Sequence, residues 1–208
     1  LKKIDICFII DATDSMKLPF NPFIINSVND HALDFKFSYY RANFKYGFVI
    51  LRDPVDYEII QEPYPKEYTQ YIESLLDSDR KKKLIAADLW DEGLENERKA
   101  NKTKIDRIKY PFDKNVSFQF TDEIENLYNE LLKVECGGGN DIPEDWAGSL
   151  ECALNELDWR DDSMKLIVFI SDSNAHGKRF CGFDNHNEEE PRLINLIEEM
   201  AKNDYLFF

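Results

Sequence analysis

Residues 4–11, Ile-Asp-Ile-Cys-Phe-Ile-Ile-Asp, form an apolar run that ends in an aspartate. A second run, Leu-Ile-Val-Phe-Ile at 166–170, leads into Ser-Asp-Ser at 171–173. Both runs have the length and β-branched content of strands that are buried in a parallel sheet. In open α/β sheets, ligands bind in the crevice outside the carboxyl ends of the strands. We therefore expect Asp11 and Asp172 to lie side by side at one edge of the sheet.

Hydroxyl groups beside these aspartates complete a candidate metal site. Thr13 and Ser15 follow Asp11 at alternate positions, so one carboxylate and two hydroxyls can converge on one point, with Ser173 nearby. Hard oxygen donors without a soft ligand suit Mg²⁺ or Mn²⁺. Because neutral hydroxyls leave a dication short of negative charge, such a metal keeps a position open for an external carboxylate. Taken alone, the first loop is more typical of a helix cap that follows a strand.

A glycine-rich stretch at 137–145, Gly-Gly-Gly-Asn-Asp-Ile-Pro-Glu-Asp, is the second informative loop. Consecutive glycines let a backbone approach a ligand closely or adopt a positive φ. Asp141 or Asn140 could then reach the metal as a further oxygen ligand. The alternative is a flexible turn with Pro143 in the first turn of a helix, where the acidic residues that follow it would only complement the helix dipole.

Length and composition are those of a soluble globular domain. The chain has 208 residues, 43% hydrophobic and 32% charged, which suffices for one substantial core. Its net charge of −15 would repel nucleic acid and favours cations and basic partners. No apolar stretch approaches the ~20 residues that span a bilayer. The four cysteines form no Cys-x-x-Cys pair, so we expect a reduced, cytoplasmic setting, although targeting signals could lie outside this segment.

Hydrophobic periodicity predicts an α/β domain whose buried strands are mostly parallel. A helix is predicted from about Asn21 to Phe37, and Tyr46–Leu51 is a buried strand that ends at Arg52-Asp53. Tyr57–Ile60 would pair as an antiparallel edge strand. Further helices are predicted from a cap at Thr121 through Lys133, after Asp145 through Trp159, and over residues 189–202. The last residues, 205–208, resemble the start of another strand, so we expect the chain to be part of a longer polypeptide.

Residues 66–113 differ in composition from the rest. The runs 77–83 and 91–107 are heavily charged and contain few apolar anchors. We interpret 66–113 as a polar, largely helical insertion within a single domain that spans residues 1–208. This insertion either extends into solvent without a binding role or provides a specific docking surface.

Patterns typical of catalysis are missing from the sequence. It contains no Gly-x-Ser-x-Gly elbow and no phosphate loop with its lysine. No cysteine has an adjacent base that would activate it as a nucleophile. His176, Cys181 and His186 have a His-x₄-Cys-x₄-His spacing that could suggest zinc, but it matches no standard finger, and we favour a structured rim loop.

The chain resembles a von Willebrand factor A (vWA) domain, most closely the variety found beside alpha-kinase catalytic domains and in related protist proteins. The segments that carry the resemblance are Phe8–Met16, Arg52-Asp53, Gly137–Asp145, Trp159-Arg160, Lys165–Asp172 and His176–Lys178. They extend over nearly all of the core and exclude the insertion. The resemblance implies a doubly wound sheet that carries a metal-ion-dependent adhesion site.

The resemblance also assigns the metal ligands. The family's first loop corresponds to Asp11, Thr13 and Ser15, and its third-loop aspartate to Asp172. The family's middle loop usually offers a threonine after two glycines. This chain has Gly139 there, followed by Asn140 and Asp141, and we predict Asp141 as the middle ligand. Asp53 would orient a metal-bound water, or else would lie in a turn before Pro54.

These observations predict a non-enzymatic adhesion or scaffolding module. Its Mg²⁺ or Mn²⁺ would be completed by an Asp or Glu side chain of a protein partner. One alternative is a regulatory or targeting domain of a larger protein, such as an alpha-kinase. Another is a Mg²⁺-dependent phosphohydrolase of the haloacid dehalogenase type. Those enzymes carry a second aspartate two residues after the first, where this chain has Thr13.

Overall fold

Within the part of the chain that the structure describes, one sheet of five strands forms the centre of the domain. The computed structural model describes residues 2–17, 20–53, 114–139, 142–182, 184 and 186–208. The strands are β1 (Lys2–Asp11), β2 (Ala42–Leu51), β3 (Val116–Thr121), β4 (Ser163–Ile170) and β5 (Tyr205–Phe207). They lie in the order β3-β2-β1-β4-β5, and only the β2–β3 pair is antiparallel. The predicted doubly wound, mostly parallel sheet with an antiparallel edge is confirmed.

The central strand β1 is buried on both faces, as its continuous apolar run predicts. Residues 6–10 are at most 3% exposed. Its one buried acid near the start, Asp5, accepts hydrogen bonds from the Arg160 backbone (2.9 Å), the Arg160 guanidinium (2.7 Å) and the Ser163 hydroxyl (2.7 Å). These contacts stabilise a charge that would otherwise be costly to bury, and they fasten the entry of β4 to the amino end of β1.

Four α-helices flank the sheet within the described residues: α1 (Ile25–Ser38), α2 (Ile124–Leu131), α3 (Trp146–Glu156) and α4 (Glu189–Lys202). Leu150 of α3 and Leu193 of α4 pack with Cys7 and Ile9 of β1 in one core cluster. On the other side, Phe8 lines a small cavity of about 10 Å³ together with side chains of α1 and α2. The helices therefore cover both faces, as in a doubly wound architecture.

Several predicted helix boundaries differ from the structure. The helix predicted from about Asn21 starts as a π-helical turn, Phe20–Ile24, before α1, and the helix predicted through Lys133 ends at Leu131. Thr121 is the last residue of β3 and not a helix cap, although its hydroxyl accepts a hydrogen bond from the Glu123 backbone (3.1 Å). The helix predicted through Trp159 ends at Glu156, because Leu157 adopts an extended conformation. Trp159 instead packs edge-on against Phe120 and Tyr205, with ring centroids 4.7 and 5.1 Å away. At Trp159, packing against the two edge strands therefore determines the conformation, and the helical spacing of apolar residues does not.

The described residues lie in one compact unit. The predicted strand Tyr57–Ile60 and the predicted insertion at 66–113 fall outside the described residues, and the antiparallel edge of the sheet is β3. None of the helices in the described part of the chain is long and apolar enough to cross a membrane.

Candidate metal centre

The candidate site lies where β1 and β4 end side by side. These strands are parallel neighbours, with Ile10 opposite Ile170, so the loops that follow them leave the sheet at the same edge. Asp11 closes β1 and is completely buried, whereas Asp172, two residues beyond β4, is exposed. The juxtaposition predicted from the two apolar runs is what the fold produces.

Hydrogen bonds fix the Asp11 carboxylate in one orientation. Its Oδ1 accepts from the backbone N (2.8 Å) and hydroxyl (2.7 Å) of Thr13, and its Oδ2 accepts from the Ser171 hydroxyl (2.7 Å). Burial raises the pKa of Asp11, and the hydrogen bonds from Ser171 and Thr13 oppose that rise. The carboxylate is thus held rigidly beneath the loop that carries the hydroxyls.

A chain of oxygens connects the two loops above Asp11. The Ser15 hydroxyl donates to Asp172 Oδ1 (3.0 Å), and the Ser173 hydroxyl donates to the same oxygen (3.2 Å). Thr13 Oγ1 and Ser15 Oγ are 3.4 Å apart. The structure therefore brings together Asp11, Thr13, Ser15, Asp172 and Ser173. The other two candidates from the glycine-rich loop, Asn140 and Asp141, lie outside the described residues and stay predictions.

Glu144 is a further acidic residue at this site that the sequence reasoning did not assign to it. Its side chain is only 2% exposed, and its Oε2 has no hydrogen-bond partner among the described residues. Burial, together with the charges of Asp11 and Asp53, raises the pKa of Glu144 to about 10, and the hydrogen bond of the Thr13 hydroxyl opposes that rise. A buried carboxyl group with this electrostatic environment is neutral at pH 7 unless a cation replaces its proton.

Gly139 leaves the space that the Glu144 carboxylate needs. A Cβ at position 139 would lie 2.9 Å from Glu144 Oε1 and 3.1 Å from Thr13 Cβ. Its φ of +69° also lies in the region that disfavours residues with a side chain. Gly139, at the position where the resemblance leads one to expect a threonine, therefore leaves room beside Thr13, and the carboxyl group of Glu144 lies in that space.

Backbone contacts from the β4 loop hold Glu144 in place. Its N–H donates to the Asn174 carbonyl (2.8 Å), and its carbonyl accepts from the His176 N–H (3.3 Å), so it pairs with Ala175 as a short parallel bridge. The helix cap is Asp145, whose carboxylate accepts from the Gly148 N–H (2.7 Å). Of the two acidic residues expected to complement the helix dipole, Asp145 caps the helix and Glu144 points to the candidate metal site.

Arg52 is hydrogen-bonded to the backbone of two loops that form the site. This fully buried side chain donates hydrogen bonds to the carbonyls of Ala12, Gly137 (3.3 Å) and Glu135 (2.7 Å). Burial lowers the pKa of Arg52 to about 10, and nearby negative groups including Asp11 oppose that change. One guanidinium thus connects the first loop to the glycine-rich loop.

Asp53 contacts a histidine in the structure. Its Oδ1 is 3.2 Å from His176 Nε2. Burial lowers the pKa of His176, but Asp53 and Asp184 outweigh burial and raise it to about 9. The predicted role of Asp53, orienting a metal-bound water, remains a prediction.

The residues around Asp11 fit a hard divalent cation. The set contains three carboxylates (Asp11, Glu144 and Asp172) and two hydroxyls (Thr13 and Ser15), all of them oxygen donors. The buried Glu144 Oε2 provides an independent indication, because a metal would supply the partner that this atom lacks among the described residues. Asp11, Thr13 and Glu144 are buried, while Ser15 and Asp172 are exposed, so the outward side of the site faces solvent.

Two known proteins are similar in sequence to part of this chain. No family model matches the chain. It is 27% identical over 81 residues to the alpha-protein kinase vwkA of Dictyostelium discoideum, a match that covers 38% of this chain and 13% of that protein. It is also 27% identical over 109 residues to integrin beta-6 of Rattus norvegicus, covering 41% of this chain and 14% of that protein. The chain has a vWA-like fold.

Solved structures similar to this vWA-like domain include proximal thread matrix protein 1 of the mussel byssus. The TM-score is 0.47 at 12% identity, over 99% of this chain and 35% of that chain. A further structure of the same mussel protein, described as having a zinc-occupied MIDAS motif, has a TM-score of 0.44. The vWA-like domain thus corresponds to about a third of that structure and to about one-seventh of the curated relatives.

Proposed function

We propose that this vWA-like domain is a non-enzymatic, protein-binding module that uses Mg²⁺ or Mn²⁺ to bind a carboxylate of its partner. The observation that carries the proposal is the buried Glu144 carboxylate, which packs against Thr13 at the end of β1. A buried acid in this position costs folding free energy unless it binds a cation. Such a cost is typical of a functional site.

The proposed ligands divide into two groups. Thr13, Ser15 and Glu144 would bind the metal directly, and Asp11 and Asp172, which already hold the hydroxyls, would act through those hydroxyls or through water. Asp141 is a further predicted ligand outside the described residues.

The charge of the proposed ligands explains why a partner carboxylate would be needed. Two neutral hydroxyls and one carboxylate leave a dication with uncompensated positive charge. A bound Mg²⁺ would supply a Lewis-acidic position on the solvent side, beside the exposed Ser15 and Asp172. An aspartate or glutamate of a protein partner has the charge and the hard oxygen that this position requires.

Calorimetric titration with Mn²⁺ and Mg²⁺ tests the metal part of the proposal. The wild-type protein should bind one Mn²⁺ at this site. Asp11→Asn keeps the size of the side chain but removes its charge, and should weaken binding about 10–100-fold. The matched control is Asp34→Asn, which changes an exposed aspartate on α1 and should leave the affinity unchanged. Equal affinities for Asp11→Asn and the wild-type protein would exclude the proposed site.

Paramagnetic relaxation of ¹³C-acetate tests the open coordination position. If the position accepts a carboxylate, Mn²⁺-loaded protein should broaden the acetate signal more strongly than Mn²⁺-loaded Asp11→Asn at equal total Mn²⁺. Equal broadening in the two samples would show that no carboxylate reaches the metal. The same samples should not hydrolyse an aryl phosphate. Turnover that disappears in Asp11→Asn would instead support the phosphohydrolase.

A second candidate function is regulation or targeting within a larger, cytoplasmic kinase. The match to alpha-protein kinase vwkA, of which the matched segment is only 13%, favours it. In that case the metal-dependent partner would be a substrate or an anchoring protein of the kinase. Sequencing the full-length transcript tests this, because the proposal requires an alpha-kinase catalytic domain in the same reading frame.

A further inference from the structure

A second cluster of metal-binding side chains lies between β4 and α4, outside the oxygen-only site. His176, Asp184 and His186 are all buried, and one ligand atom from each lies within 4.8 Å of the other two. Asp184 Oδ1 is 3.3 Å from His176 Nδ1 and 2.8 Å from His186 Nδ1. Three potential ligands therefore already converge on a volume the size of one ion.

These separations are close to those of a zinc coordination shell. Zinc binds imidazole nitrogen at about 2.0–2.1 Å and carboxylate oxygen at about 2.0–2.2 Å, so neighbouring ligand atoms of a tetrahedral site stand roughly 3.3–3.5 Å apart. A small outward movement of the two imidazoles would admit an ion.

The contacts around the three side chains resemble the outer shell of a metal site. A metal-binding histidine usually donates its second ring N–H to a carboxylate, which fixes the orientation of the ring. His176 has this arrangement, because Nδ1 faces Asp184 while Nε2 faces Asp53 Oδ1 at 3.2 Å. The other oxygen of Asp184 accepts from the Gly177 N–H. The orientation of His176 and that of Asp184 are thus each fixed by a group outside the cluster.

We propose that His176, Asp184 and His186 bind a second divalent cation, of the class that prefers imidazole, with Zn²⁺ as its representative. Imidazole nitrogen suits zinc and its neighbours among the first-row metals, whereas Mg²⁺ prefers oxygen donors. The two sites therefore select different ions by their chemistry. The sequence spacing included Cys181, but the described cluster contains Asp184 in its place.

The second ion would hold the segment that positions Glu144. His176 donates its backbone N–H to the Glu144 carbonyl, and the adjoining Ala175 pairs with Glu144 as a parallel bridge. A cation that joins His176 to Asp184 and His186 would fasten this segment to the loop before α4. Its role is thus structural, and its existence does not depend on metal binding at Asp11.

Co²⁺ provides a spectroscopic probe of the second site. In excess Mg²⁺, which occupies oxygen-only sites, the wild-type protein should bind one Co²⁺ and show the visible absorption of a nitrogen-ligated ion, and Zn²⁺ should displace it. His186→Gln and Asp184→Asn each remove a direct ligand and should weaken binding by at least the roughly 10–100-fold that loss of an outer-shell partner costs. The matched control is His31→Gln, which removes an exposed histidine of α1 and should bind as the wild-type protein does. Asp11→Asn should also retain the second ion.

Two results would show that the cluster does not bind a second cation. If the wild-type protein binds no Co²⁺ or Zn²⁺ in excess Mg²⁺, or if His186→Gln and Asp184→Asn bind as tightly as His31→Gln, the proposal is wrong. The cluster is then an ion triad in which a protonated His176 lies between Asp53 and Asp184. If these variants do not fold, zinc-edge X-ray absorption of the wild-type protein decides. Two imidazole ligands are expected, and an oxygen-only shell would overturn the proposal.

Discussion

Replacing Glu144 with glutamine should make the stability of the metal-free domain less dependent on pH. The pKa of this carboxyl rises from an ordinary value near 4.5 to about 10 in the folded protein. Between these two values the folded state holds one proton that the unfolded state has lost. Stability contributed by this proton is therefore fully present below about pH 4.5 and decreases as the pH rises toward 10. Glutamine has nearly the shape of the protonated acid and cannot ionise.

The expected change in the free energy of unfolding can be calculated from the one proton that the folded state retains on Glu144. A difference of one bound proton changes the free energy of unfolding by about 1.4 kcal/mol per pH unit. Between about pH 6 and pH 8, the wild-type protein should therefore lose up to about 2.7 kcal/mol more than Glu144→Gln loses. The burial of Asp11 and its hydrogen bonds are common to both proteins, so the difference between the two slopes isolates Glu144.

Urea unfolding in the presence of a chelator, repeated over this pH range, measures the effect. Glu125→Gln is the matched control, because Glu125 is an exposed residue of α2. Its pH profile should be parallel to that of the wild-type protein. Added Mg²⁺ should stabilise the wild-type protein more as the pH rises, and Glu144→Gln much less at every pH. Parallel profiles for the wild-type protein and Glu144→Gln would refute the assignment of Glu144 as a buried, cation-requiring acid.

Three further substitutions test two contacts at the candidate metal site and one at the opposite end of β1. Gly139→Ala should destabilise the domain by about 1–2 kcal/mol and weaken Mn²⁺ binding, because position 139 has φ +69° and a Cβ there would meet Glu144. Gly182→Ala, where a Cβ has open space, should do neither, and equal effects in calorimetry would contradict this account. Arg52→Leu removes the donor to the carbonyls of Gly137 and Glu135 and leaves the Ala12 carbonyl with only the Gly137 N–H, and it should cost on the order of 3 kcal/mol in urea unfolding. A loss well below 1 kcal/mol would show that other groups replace the guanidinium. Arg160→Ala removes the only cation paired with the buried Asp5 carboxylate among the described residues, although the backbone N–H of residue 160 and the Ser163 hydroxyl still donate to it, and should cost about 3–5 kcal/mol. Breaking the exposed Lys3–Asp162 pair should have little effect.

The metal-site residues at the strand ends could be predicted because they depend on local sequence. Two apolar runs identify parallel strands, and parallel neighbours place the residues that follow them at the same edge. Asp11 and Asp172 therefore meet for reasons that the sequence shows directly. The positions of Thr13 and Ser15 could also be predicted, because both residues lie in the same tight turn as Asp11.

Glu144 could not be predicted in the same way, because its position depends on contacts with residues about 30 positions away. Within its own segment it precedes a helix and resembles a charge that complements the helix dipole. Only the bridge to Ala175 and the space left by Gly139 direct it to Thr13. The signal in the sequence was Gly139, where the resemblance leads one to expect a threonine, because a glycine supplies no side-chain oxygen and another residue must then provide that ligand.

Asp184 was missed for a related reason. The regular spacing of His176, Cys181 and His186 suggested the Cys181 thiol as the third ligand. Spacing along an irregular loop, however, does not determine which side chains converge. The turn at Gly177, with φ +109°, brings its N–H to Asp184 and places that carboxylate between the two imidazoles. Such a turn is a tertiary feature that loop composition alone does not specify.

A crystal structure of the Mn²⁺-soaked protein, with anomalous data collected at the manganese edge, tests the central claim most directly. We predict one anomalous peak at the carboxyl ends of β1 and β4. It should lie about 2.0–2.2 Å from the Thr13 and Ser15 hydroxyls and from one Glu144 oxygen. It should lie farther from Asp11 and Asp172. An absent peak at saturating Mn²⁺, or a peak that these side chains do not contact, would contradict the account.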